Sequence, residues 1–77
     1  MDYIMITLQT ADGRQADLKV PAFVPVGDLL DMLEEALQLR KGPQTRLQAE
    51  PLGRILQSAK TLGEQGVCHG ALLTVIS

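Results

Sequence analysis

Cys68 and His69 are the one place in the sequence where a nucleophile and a base stand side by side. A thiol becomes a nucleophile when a base removes its proton, so this pair is the natural candidate for covalent chemistry. Adjacent residues on an extended segment point to opposite sides, however, and the imidazole would then face away from the thiol. The expectation is a small, semi-buried cysteine and a solvent-exposed turn histidine, with no catalytic residue. The sequence holds one cysteine and one histidine, too few to complete a tetrahedral shell, so no metal site is expected.

Asp28, Asp31, Glu34 and Glu35 form a second cluster, an acidic arc on a helix whose other side carries leucines. Paired carboxylates can do acid–base work when burial separates their pKa values, but a solvated helix face provides no such pocket. A polar outer face is the simpler reading, with a basic docking partner as the functional one. The seven glycines are scattered and form no phosphate-cradling loop, so no cofactor is expected. These patterns point away from an enzyme.

The elements that position these residues belong to a chain of 77 residues, room for one domain spanning 1–77. Apolar residues make up 45% and charged residues 21%, a globular composition. Tyr3 and Phe23 are the only aromatics, which leaves Leu, Ile, Val and Met to build the core. A net charge of -2 gives no long-range field to attract nucleic acid or anionic lipid. A lone cysteine forms no internal disulfide and suits a reducing compartment. The first residues, Met1 to Ile6, lack the basic flank and long apolar run of a signal peptide. No window approaches the ~20 apolar residues of a membrane span. The expectation is a soluble, cytoplasmic protein with no direct membrane insertion.

Period-two patterning predicts a strand over residues 3–9, with Ile4, Ile6 and Leu8 on one side and Tyr3, Met5 and Thr7 on the other. Asp12-Gly13 predicts a turn into a second alternating run built on Ala16, Leu18 and Val20. Pro21 and Pro25 bracket a linker, after which Val26, Leu29, Leu30, Leu33 and Leu37 adopt helical spacing. That helix is predicted to run to about Leu39, with Arg40 and Lys41 at its end and Gly42-Pro43 terminating it. Residues 46–49 and 54–56 predict short third and fourth strands around a Pro51-Leu52-Gly53 turn. Leu62 and Val67 anchor an irregular crossover before a final strand, 71–76, with Leu73 and Val75 inward. One mixed sheet with the helix packed across it buries every apolar face, an α+β arrangement of the β-grasp type with four to five strands.

This layout resembles the ubiquitin-like family over essentially the whole chain. Gln44-Thr45-Arg46-Leu47, Gly53-Arg54-Ile55-Leu56 and Thr61-Leu62 fall where that family carries its third strand, fourth strand and closing turn. The run Asp17 to Val26, DLKVPAFVPV, followed by Leu29-Leu30, looks closest to the bacterial YukD/EsaB-type proteins of type VII (WXG100) secretion systems. Conjugated ubiquitins and sulfur carriers are activated at a flexible Gly-Gly tail, whereas Ile76-Ser77 closes this chain. The central exposed isoleucine of ubiquitin falls at Gln48.

The resemblance implies a non-enzymatic, non-conjugated accessory or regulatory protein of a type VII secretion system, acting by reversible protein docking. A secretion-system membrane subunit or ATPase is the partner it implies. The expected surface is the outward sheet face around Met5, Arg46, Gln48, Leu72 and Ile76, where Met5, Leu72 and Ile76 would make a contiguous apolar patch. Two alternatives stand beside it: a modifier or sulfur carrier activated at its C-terminus, and a scaffold that forms a homodimer through its edge strands.

Overall fold

The computed structural model describes residues 3–10, 12–38, 45–50 and 53–76. β1 (Tyr3–Gln9) and β2 (Gln15–Pro21) pair antiparallel, with Ile6 opposite Leu18 and Met5 opposite Lys19. Gly13 makes their turn possible: its φ of 91° is open to glycine at no steric cost. Thr10 ties the turn together, its N–H donating to the Arg14 carbonyl at 2.8 Å and its hydroxyl to the Asp12 carboxylate.

α1 (Val26–Leu37) follows, and its N-terminus is capped by other segments rather than by a side chain. The Val26 and Gly27 N–H groups donate to the carbonyls of Lys60 and Ser58, each at 2.9 Å. Two of the donors that a helix start leaves orphaned thus fasten the late crossover to the helix. Val26, Leu29, Leu30 and Leu33 are buried, as their spacing predicts, and Met32 is exposed.

The helix ends earlier than predicted. Gln38 takes a left-handed conformation, φ 55°, and its N–H donates to the Glu34 carbonyl. Arg40, Lys41, Gly42 and Pro43, expected to close the helix, lie outside the described residues.

β3 (Arg46–Glu50), β4 (Arg54–Ile55) and β5 (Ala71–Ile76) complete a five-stranded mixed sheet of order β2-β1-β5-β3-β4. β5 sits in the middle, parallel to β1 and antiparallel to β3. The helix covers one face. Leu47, Ala49, Leu62 and Leu73 are 0% exposed beneath it, with Ile6, Leu8, Leu29 and Leu56 around them. No aromatic enters this core, and each fully buried leucine contributes about 1.5–3 kcal/mol of transfer free energy.

Gln65 organises the crossover from 56 to 67. It is 5% exposed, and its amide nitrogen donates to the carbonyls of Gln57, Lys60 and Thr61 at 3.0–3.3 Å. Its amide oxygen accepts the Gln57 N–H at 2.7 Å. One buried side chain thereby replaces the ladder this irregular segment lacks.

Candidate protein-docking face

Because β5 is central and its Leu73 and Val75 are buried under the helix, Leu72, Thr74 and Ile76 must face outward. The register extends that face. Thr7 and Glu50 flank Leu72, Gln9 and Gln48 flank Thr74, and Arg46 lies beside Ile76. Met5, Arg46, Gln48, Leu72 and Ile76 therefore all belong to the outward side of the sheet, which no described element covers.

The register does not set the three apolar residues in one row. Thr74 separates Leu72 from Ile76 along β5, and Met5 lies one step diagonal to Leu72, past the Thr7 position. Leu72 and Ile76 are half-buried, while Met5 is 38% exposed. Polar neighbours fill the intervals: the Gln48 amide donates to Glu50 at 2.9 Å, and the Thr7 hydroxyl to Asp17 at 2.8 Å. The face combines scattered apolar side chains with fixed hydrogen-bonding groups, a composition suited to reversible association.

Ile55 is an outward apolar residue that the sequence reading missed. It pairs with Gln48 from β4 and is 52% exposed. The burial of Leu56 fixes its direction, since successive strand residues face opposite sides. Tyr3 and Phe23 were also missed: both are exposed and pack edge-to-face, centroids 5.7 Å apart at 84°. Lys19 Nζ lies 5.7 Å from the Tyr3 ring centroid. Arg54, in contrast, is opposite inward-facing Ala49, and its guanidinium donates to the Gln65 carbonyl at 2.5 Å. It serves the crossover and does not share the face with Arg46.

Cys68 and His69 take different hydrogen-bond partners, and Cys68 is exposed rather than semi-buried. Its thiol contacts the Gly66 carbonyl at 3.6 Å, while His69 Nδ1 accepts the Met5 N–H at 3.2 Å. Among the described residues, no group of three His, Cys, Asp or Glu side chains is placed to hold a metal ion. The pKa of Asp12 is shifted downward. Its hydrogen bond from Thr10 holds its carboxyl below the usual carboxylate range, assisted by the Arg14 N–H and guanidinium. That tuning belongs to the turn between β1 and β2.

One helix packed across a five-stranded mixed sheet defines a ubiquitin-like β-grasp protein. Solved structures bear out the class. The fold is similar to one described as molecular mimicry of SUMO that promotes DNA repair (TM-score 0.82, 17% identity, 100% of this chain and 94% of the other). It is also similar to a ubiquitin of Caldiarchaeum subterraneum (TM-score 0.77, 26% identity, 97% and 92% covered). A ubiquitin-like domain from Arabidopsis thaliana superposes with a TM-score of 0.76 at 19% identity, covering 99% and 78% of the two chains. The family model for YukD, a protein of the WXG100 protein secretion system (Wss), matches residues 3–75, and the chain belongs to that family. No curated protein matches the sequence.

Proposed function

We propose that this chain works as a non-enzymatic docking protein of its secretion system, binding a protein component reversibly through the outward sheet face. A membrane subunit or the ATPase of that system would be the partner. One observation carries the reading: no described element covers the sheet face opposite the helix, which displays Met5 and Ile55 among Arg46, Gln48, half-buried Leu72 and half-buried Ile76. No helix among the described residues is long and apolar enough to cross a membrane. Adenylation or thiol transfer is not part of this reading.

The test is capture with purified secretion-system subunits, comparing the native chain with the double substitution Leu72→Asp, Ile76→Asp. Binding by the native chain, lost in a variant that still melts cooperatively, supports the reading. Equal capture by a folded variant overturns it. A product that survives denaturing elution would instead show covalent transfer, the alternative class.

A further inference from the structure

β2 occupies one edge of the sheet, and no other described strand pairs with its outer side. The hydrogen bond from Thr10 N–H to the Arg14 carbonyl sets the ladder phase. Antiparallel alternation then makes Leu8–Ala16, Ile6–Leu18 and Ile4–Val20 the bonded pairs. It follows that the backbone groups of Gln15, Asp17 and Lys19 point to the free edge. Such an edge is a template for another strand.

The charges along β2 select which strand. Asp17 and Lys19 are exposed, lie on the same face, and flank Leu18 symmetrically. We infer that β2 pairs antiparallel with β2 of a second copy of this chain about a two-fold axis at Leu18. This register sets Asp17 of each copy opposite Lys19 of the other, as bonded pairs that exchange both N–H and carbonyl groups. Leu18 meets its own equivalent at the axis, and Gln15 faces Pro21, whose missing N–H removes one donor at each end.

Both neighbouring registers with the correct ladder phase are penalised. Moving the axis to residue 17 opposes Asp17 with Asp17, and moving it to residue 19 opposes Lys19 with Lys19. The opposite-charge register is thus specified by residues 17 and 19 alone. The intrachain contacts leave both groups able to reach: Thr7 occupies one oxygen of Asp17, and Lys19 Nζ rests over the exposed Tyr3 ring. The product is a ten-stranded sheet that joins the outward faces of two copies. The inference rests on the edge and its charges, independently of what the outward face binds.

Sedimentation equilibrium of the full chain up to about 1 mM tests it, a range suited to a small, weak interface. The expected result is a reversible dimer. Asp17→Lys or Lys19→Asp alone should weaken it about tenfold or more, since each turns two attractive pairs into two repulsive ones. The double substitution Asp17→Lys, Lys19→Asp should restore it, although it removes the intrachain contacts of both residues. Should a single variant fail to fold, Leu18→Cys on a Cys68→Ser background provides the second test. At ~4.5 Å between Cα atoms, the paired cysteines should oxidise to a disulfide-linked dimer. A chain that stays monomeric, a dimer indifferent to the charge changes, or no cross-link at residue 18 overturns the inference.

Discussion

His69 and Met5 stand 64 positions apart and are joined by a hydrogen bond, the Met5 N–H donating to His69 Nδ1 at 3.2 Å. The neighbouring Gly70 N–H donates to the Met5 carbonyl at 2.7 Å, so the two bonds bracket one residue of β1. β5 begins at Ala71, one step too late to pair with Met5 by backbone alone. The imidazole fills that step and extends the central parallel ladder by one bond. The nitrogen that would take a proton from Cys68 is occupied by the sheet.

Replacing His69 with Ala should therefore lower stability by about 0.5–1.5 kcal/mol, the net worth of one hydrogen bond. Urea denaturation measures the loss, and hydrogen exchange should show faster exchange at the Met5 amide than at Ile6. Nitrogen NMR of the native imidazole should report Nδ1 as the unprotonated acceptor. A variant with unchanged stability and unchanged Met5 exchange would remove the histidine from the ladder.

Gln65 is the second polar residue whose loss should be costly. Gln65→Leu keeps the volume but leaves the Gln57 N–H and the carbonyls of Gln57, Lys60 and Thr61 without this side chain. The expected destabilisation is about 1–3 kcal/mol, and more where several of these groups stay buried. The crossover also caps α1 through Ser58 and Lys60, so amide exchange at Val26 and Gly27 should quicken in the same variant. Protection unchanged at those two amides would uncouple the crossover from the helix start.

Gln38 makes a prediction of the opposite sign. Its left-handed backbone is costly for a residue with a Cβ and open to glycine. Gln38→Gly should stabilise the chain by up to about 1 kcal/mol, even though glycine elsewhere loosens a helix. Thermal melting decides it, and a lower midpoint would contradict the assigned helix end.

The hairpin, the helix face and the succession of elements along the chain were legible because each is a local pattern. Asp12-Gly13 sits between alternating runs, and Val26, Leu29, Leu30 and Leu33 repeat at helical spacing. The helix end was not legible, since Gln38 carries no left-handed signature of the kind Gly or Asn would. Nor was the crossover, whose order comes from Gln65 reaching backbone groups up to eight residues away. The expected residues Met5, Arg46, Gln48, Leu72 and Ile76 share one side of the sheet. Period two was blind to the spacing between strands, which inserts Thr74 and Glu50 among them and brings Ile55 alongside Gln48.

The hairpin turn gives the pH prediction. The Thr10 hydroxyl, the Arg14 N–H and the Arg14 guanidinium all favour the ionised form of Asp12, so its folded pKa lies below its unfolded one. A depressed carboxylate contributes stability that is fully present above the unfolded pKa and is lost as pH falls through the folded one. Carbon NMR should therefore show Asp12 titrating below the ordinary aspartate range. Thr10→Val removes the largest of the three influences and should move that titration back upward. The same substitution also removes the side-chain acceptor of the Arg14 N–H, so the turn should loosen at neutral pH as well. An Asp12 titration unmoved by Thr10→Val would mean that the arginine, and not the hydroxyl, sets the carboxylate.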